Sequence, residues 1–187
     1  YTEQSLVISR SVLDRRGEAW SLFDLGYLAL VSGEINQAQG FLEAGLSELR
    51  EQGNLYGAFR ALIALGHTMR LLDDPERARG CYQEALRIQQ QMHYIQSIGD
   101  GLEGLAGMAA AEGDAARAAR LFGAAQAHRE AVATPRWPVM DAIYDRDVAL
   151  ARSLLDAGAW DAAWAAGLTM PLDQAVIYAL AEQAAPA

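Results

Sequence analysis

The chain contains no lysine; all fifteen of its basic residues are arginine. That absence excludes a phosphate-binding loop ending in Gly-Lys-Ser/Thr and a Schiff-base amine, since each chemistry needs this side chain at a fixed place. Cysteine occurs once, at Cys81. No disulfide within the chain and no multi-thiolate metal site can form, which fits a reducing compartment. Proline numbers only five and β-branched residues are sparse, so little in the chain opposes helix. No apolar run approaches the roughly 18 residues of a membrane span, and the first residues lack the charged-then-apolar form of a secretory signal. The expectation is a soluble, cytoplasmic chain without membrane contact. Basic charge is also short, with 15 basic against 24 acidic residues and a net charge of −9. Neutralising phosphates takes a clustered basic face, and these arginines are scattered, so no direct nucleic-acid contact is expected.

What is present is alanine and leucine, in a chain of 187 residues that is 52% hydrophobic and long enough to bury a sizeable interior. The pattern repeats every forty residues. Leu22, Leu62 and Leu102 share a phase, as do Leu25, Leu65 and Leu105, followed by the small residues Gly26, Gly66 and Ala106. Further on, Gly33, Asp73 and Gly113 align, then Glu34, Asp74 and Asp114, then Ala38, Ala78 and Ala118, then Leu42, Tyr82 and Phe122. Each copy divides into two helices, the acidic residue after the turn being placed to cap the second. Asp74 before Pro75 is the clearest case, because the carboxylate can accept from unpaired N–H groups and proline gives up a donor that had no partner. The small residues allow close helix approach, and Leu42, Tyr82 and Phe122 fill the space between. A single hairpin cannot bury this face, so the copies must stack.

LFDLGYLAL at 22–30 with AQGFL at 38–42, and LIALGHTM at 62–69 with ARGCY at 78–82, resemble the tetratricopeptide repeat (TPR). The resemblance covers nearly the whole chain and implies an all-α, TPR-like solenoid of stacked antiparallel helix hairpins. Its forty-residue period is longer than the ~34 of that repeat. It is similar to the C-terminal region of large ATP-binding bacterial transcriptional regulators of the LuxR/MalT-like type. The expected organisation is a second helix of a preceding repeat at 1–17, with Tyr1 in phase with Phe41 and Leu6 with Leu46 and Leu86. Repeats follow at 18–56, 57–96 and 97–133, then a degenerate fourth unit with a C-terminal cap at 134–187. In that unit a spacing of 45 restores Leu150, Leu154 and Ala163, Pro135 and Pro138 occupy the extra loop, and a last helix opens at Pro171.

First helices of such arrays line a concave face, so the candidate groove residues are Trp20, Phe23 and Tyr27, then Arg60, Ile63, His67 and Arg70, then Asp100 and Glu103. Trp20, Phe23, Tyr27 and Leu30 make the first helix apolar nearly all round, which demands cover on two sides. A neighbouring repeat, a second copy, or a bound ligand or peptide would each supply it. His67 has no histidine at helical spacing and reads as structural or surface, His93 lies near an inter-repeat turn, and His128 shares a polar face with Arg129 and Glu130. Asp100 and Glu103 read as solvated surface or arginine partners, and Cys81 as a packed small residue. No catalytic residue, metal site or cofactor is expected. The functional expectation is a non-catalytic module that binds a protein, peptide or small-molecule effector in the groove of an ATP-dependent regulator and takes part in signal transduction. The alternative is a structural or self-association scaffold, with a possible homodimer, attached to a signalling enzyme such as a nucleotide cyclase or kinase.

Overall fold

The structure is a computed structural model that describes residues 2–136 and 138–181. Its described residues form helices α1 (Thr2–Ser11), α2 (Arg15–Val31), α3 (Ile35–Glu51), α4 (Leu55–Leu71), α5 (Pro75–Met92), α6 (Ile98–Ala111), α7 (Ala115–Val132), α8 (Pro138–Ser153), α9 (Ala157–Leu168) and α10 (Leu172–Leu180), with no strand among them. The chain is all-α, with helices packed in neighbouring pairs, as expected. It divides into two compact units, Tyr1–His93 and Tyr94–Ala187.

The helices end at a regular interval. Leu13, Gly33, Gly53, Asp73, His93, Gly113 and Ala133, spaced by twenty, all have φ between 50° and 84°. This left-handed residue releases the last carbonyls of one helix, and glycine adopts it without a Cβ penalty. The next residue opens the following helix. Asp14, Asn54, Asp74 and Asp114 each accept a hydrogen bond from the backbone N–H three residues on, at 2.9–3.1 Å. Glu34 makes no such bond; its extra methylene removes the carboxylate from the N–H groups that a shorter side chain reaches. The capping of α2 by Asp14 also starts that helix at Arg15, inside the stretch expected to belong to a preceding repeat, while α1 stops at Ser11. Tyr1, assigned a phase with Phe41, lies outside the described residues.

In the first unit the helices stack in chain order, α1 on α2, α2 with α3, α3 on α4 and α4 with α5, and α2 also touches α4. The forty-residue code sets the hairpin spacing. Ala38, Leu42, Ala78 and Tyr82 are fully buried, and a Cβ added at Gly26 would stand 2.6 Å from Leu42 Cγ, one at Gly66 2.6 Å from Tyr82 Cε1. Each large side chain of the second helix therefore occupies the space that glycine leaves on the first. Burying such a side chain stabilises by about 1.5–3 kcal/mol. Across the outer surface Arg50 pairs with Glu84, and Arg77 with Glu43. These exposed pairs contribute at most about 1 kcal/mol each.

The second unit begins with the paired α6 and α7 and then departs from the repeat. Helix α9 lies along α7 rather than forming a hairpin with α8, which rests on α6 and α7. Two glycines permit this: a Cβ at Gly123 would stand 2.3 Å from Trp164 O, and one at Gly167 2.0 Å from Arg120 O. Trp164 stacks on Phe122 at 6.4 Å and donates its Nε1–H to Gln126 Oε1 at 3.1 Å. Of the residues restored by a spacing of 45, Ala163 is buried, but Leu150 and Leu154 are 40% and 50% exposed. Pro138 opens α8 instead of lying in a loop, consistent with the preference of proline for a first helical turn. Helix α10 follows Pro171 and packs on α6 and α7. Its end is held by Arg117, which donates to the carbonyls of Tyr178, Ala179 and Ala181 at 2.8–3.2 Å. Of the expected fourth unit and cap at 134–187, Trp137 and residues 182–187 lie outside the described residues.

Candidate functional site

In the first unit α2 and α4 bring four of the expected residues together. Buried Leu22, Gly26 and Ala29 anchor α2, leaving Trp20 and Tyr27 half-buried beside Phe23. Trp20 meets Phe23 edge-on at 5.8 Å, and Phe23 stacks on Tyr27 at 6.2 Å. From α4, Arg60 lays its guanidinium 4.9 Å from the Phe23 ring centre and 5.8 Å from those of Trp20 and Tyr56. Tyr56 closes the cluster 6.2 Å from Trp20 and 5.3 Å from Phe59. A cation over several ring faces is held by their quadrupoles, worth about 0.5–2 kcal/mol per contact according to desolvation. Asp24 stands on the same side: partial burial pushes its carboxyl above the usual aspartate range, and the positive charge of Arg60 pulls it partly back.

Sequence reasoning missed Tyr56 and Asp24. Tyr56 was legible as the residue one turn before Arg60 on the same helix. Conversely, Phe23, Ile63 and His67 do not line an open surface. Phe23 is 2% exposed, and Ile63 and His67 are buried too. His67 is a core residue whose Nδ1 lies 2.9 Å from the Tyr82 hydroxyl, so the aromatic of α5 carries the partner that helical spacing could not supply. Arg70 is half-buried in the last turn of α4.

Asp100 and Glu103 belong to the second unit, and arginines hold both. Arg129 Nε donates to Glu103 Oε1 at 2.8 Å, and its Nη2 donates to Glu103 Oε2 at 2.9 Å and to Asp100 Oδ1 at 2.6 Å. Arg136 adds two bonds to Glu103, at 3.0 and 2.7 Å, and one to Asp141 at 3.2 Å, with its guanidinium 3.5 Å from the Tyr144 ring centre. Burial alone would raise the Glu103 carboxyl, but the hydrogen bonds from Arg129 and Arg136 outweigh it and hold the group below the usual glutamate range. Burial wins at Asp100, which stays above its usual range although Arg129 opposes the shift. With both Glu103 oxygens doubly occupied, this cluster locks α6, α7 and the segment before α8 together.

His128 is likewise not on a polar face. It is buried and bonds through Nε2 to the Ile95 carbonyl, while burial lowers its proton affinity. Arg129 turns inward beside it, and Glu130 alone of that trio is exposed. His93 ends α5 in a left-handed conformation. The Cys81 thiol is half-buried and pushed up to about 11 by burial, far from the thiolate a nucleophile requires. Among the described residues no group of three histidine, cysteine or acidic side chains is placed to hold a metal ion, and no helix is long and apolar enough to cross a membrane.

Over 155 residues, 83% of the chain, the sequence is 30% identical to proteins named as HTH-type transcriptional regulators in two strains of Mycobacterium tuberculosis and one of Mycobacterium bovis. The match takes in 17% of each relative's length, so the chain is similar to one part of much longer proteins. No family model and no solved structure matches the chain.

Proposed function

We propose that the chain is a non-catalytic, TPR-like binding module of a bacterial transcription regulator of the LuxR/MalT-like type, working in the cytoplasm. Its ligand is a protein segment, peptide or small effector taken up on the face of Trp20, Tyr27, Tyr56 and Arg60. The observation that carries this reading is the aromatic and arginine cluster itself: the half-buried Trp20 and buried Phe23 of α2 and the exposed Tyr56 of α4 surround one guanidinium. Such side chains give large contact area for little lost conformational freedom, and they dominate binding hot spots. The regulator setting is supported by the 30% identity to HTH-type transcriptional regulators. A binding role rather than a catalytic one is supported by the fate of the titratable groups the sequence offered, since Asp100 and Glu103 are tied to arginines and two of the histidines are buried.

The mechanism is a shift of population. A ligand touching both α2 and α4 favours whichever spacing of those helices fits it, and it biases the parent protein only by its difference in affinity between the two spacings. Peptides selected from a random display library against the chain test the site. Their affinity, measured by calorimetry, should fall at least about tenfold with Trp20→Ala and with Tyr56→Ala, a loss near 1.4 kcal/mol, and should survive Ile177→Ala. Selected peptides that bind all three variants equally would place binding elsewhere and end this reading.

A further inference from the structure

Where α10 meets α7, two arginines stand apart from both clusters described above. Arg117 and Arg120 lie one turn apart on α7, and the half-buried Tyr178 of α10 is within reach of both, its ring centre 4.8 Å from one guanidinium and 5.3 Å from the other. Arg117 donates through Nη2 to the carbonyls that end α10. Arg120 donates through Nη1 to the Tyr178 hydroxyl at 3.2 Å. Its Nε–H is out of solvent and meets no acceptor. Every partner that these two cations have among the described residues is therefore neutral. The other well-covered arginines of this unit differ: Arg129 and Arg136 each set Nε and Nη2, the parallel donors of one guanidinium edge, against the Glu103 carboxylate. In Arg120 that same edge has nothing opposite it, and a buried donor without an acceptor calls for an ion or water to complete it.

We infer that Arg117 and Arg120 form a binding site for an anion, a phosphate or carboxylate group held on the Nε/Nη2 edge of Arg120 and steadied by the Nε and Nη1 donors of Arg117. Planar guanidinium edges match the oxygens of both groups in pairs. The charge balance points the same way. The last carbonyls of a helix carry about half a negative charge, which offsets only part of two guanidinium charges, and the remainder stays uncompensated beside a half-buried ring. Forty and eighty residues earlier the position of Arg120 is held by Gly80 and Gly40, so this cation belongs to the junction with α10 and not to the repeat. Because the Tyr178 hydroxyl orients Arg120, the site is complete only while α10 is seated, and an anion bound there fastens α10 to α7. The inference does not rest on the binding face around Trp20.

Inorganic phosphate, and separately acetate, titrated into the full chain at constant ionic strength with chloride as the balance should test the site. At least one of the two should raise the melting temperature saturably and slow hydrogen exchange at the α10 amides several-fold; which one does so names the group that the edge prefers. Arg120→Gln should abolish both responses with helical circular dichroism unchanged. Arg120→Lys, which keeps the charge without the edge, should weaken the anion at least about tenfold, and Arg87→Gln, at an exposed arginine elsewhere, should alter nothing. No response to either anion beyond that to chloride, an equal response in Arg120→Gln, or a response that appears only with Glu182→Gln, the sign that the next acid along the chain fills the edge, would each overturn the inference.

Discussion

Replacing Arg129 with methionine keeps much of the stem volume and deletes every donor of the guanidinium. Arg129 is 9% exposed and makes three bonds to Glu103 and Asp100 at 2.6–2.9 Å. After the change Glu103 still has Arg136, but Asp100 loses the side-chain donor that reaches it while remaining largely out of solvent. Breaking a buried ion pair from one side costs about 3–5 kcal/mol because the other charge is left uncompensated. Since the Asp100 side chain is 29% exposed, solvent relieves part of that, and we expect about 3 kcal/mol. For a unit of this size the melting temperature should fall by roughly 12–24 °C. Calorimetry and urea unfolding, followed at the second unit through Trp160 and Trp164, would measure it. Adding Asp100→Asn to Arg129→Met should recover most of the loss, since the neutral amide no longer needs the cation while Glu103 keeps Arg136. A loss below about 1 kcal/mol, within the range of an exposed pair, or a double variant no better than the single one, would refute the reasoning.

Three further outcomes follow from the same geometry. Glu103, held below its usual value, contributes stability that is present above pH 4.5 and is lost as pH falls through its lower folded value, whereas Asp100, held above its usual value, contributes in the opposite sense. Asp100→Asn should therefore steepen the loss of stability on acidification below pH 4.5, read by urea unfolding across that range. Gly66→Ala forces a Cβ to 2.6 Å from Tyr82 and should cost about 1–2 kcal/mol net of its helix-propensity gain, while Gly40→Ala, with nothing within 4 Å, should stabilise by about 0.5–1 kcal/mol; thermal melts compare them. Cys81, with its thiol near 11, should react with iodoacetamide at pH 8 many times more slowly than free cysteine, and a rate matching free cysteine would contradict its burial.

Much of the fold was legible because a repeat states each rule more than once. Leucine, glycine and alanine recur at forty, and the structure places them where two helices meet, Gly26 under Leu42 and Gly66 under Tyr82. The candidate face was legible in part. Trp20, Tyr27 and Arg60 follow from helical spacing, but His67 and Phe23 are core, because a periodic stripe records which side of a helix is apolar and not how far a neighbour covers it. Asp100 and Glu103 were visible as a pair, and their partner Arg129 was assigned to a polar face because arginine is rarely buried unless it is paired.

The sequence by itself determined the helical class, the forty-residue recurrence of the hairpins and the caps at Asp74 and Asp114, since these depend on backbone conformation and on groups a few positions away. Only the tertiary structure decided that α9 lies on α7, that His128 and Arg129 turn inward, and that Val7 of α1 and Val12 and Leu13 in the turn after it face water. Those outcomes rest on contacts between residues far apart in the chain, such as Gly123 with Trp164 and Gly167 with Arg120, whose free energy exists only once the helices have met.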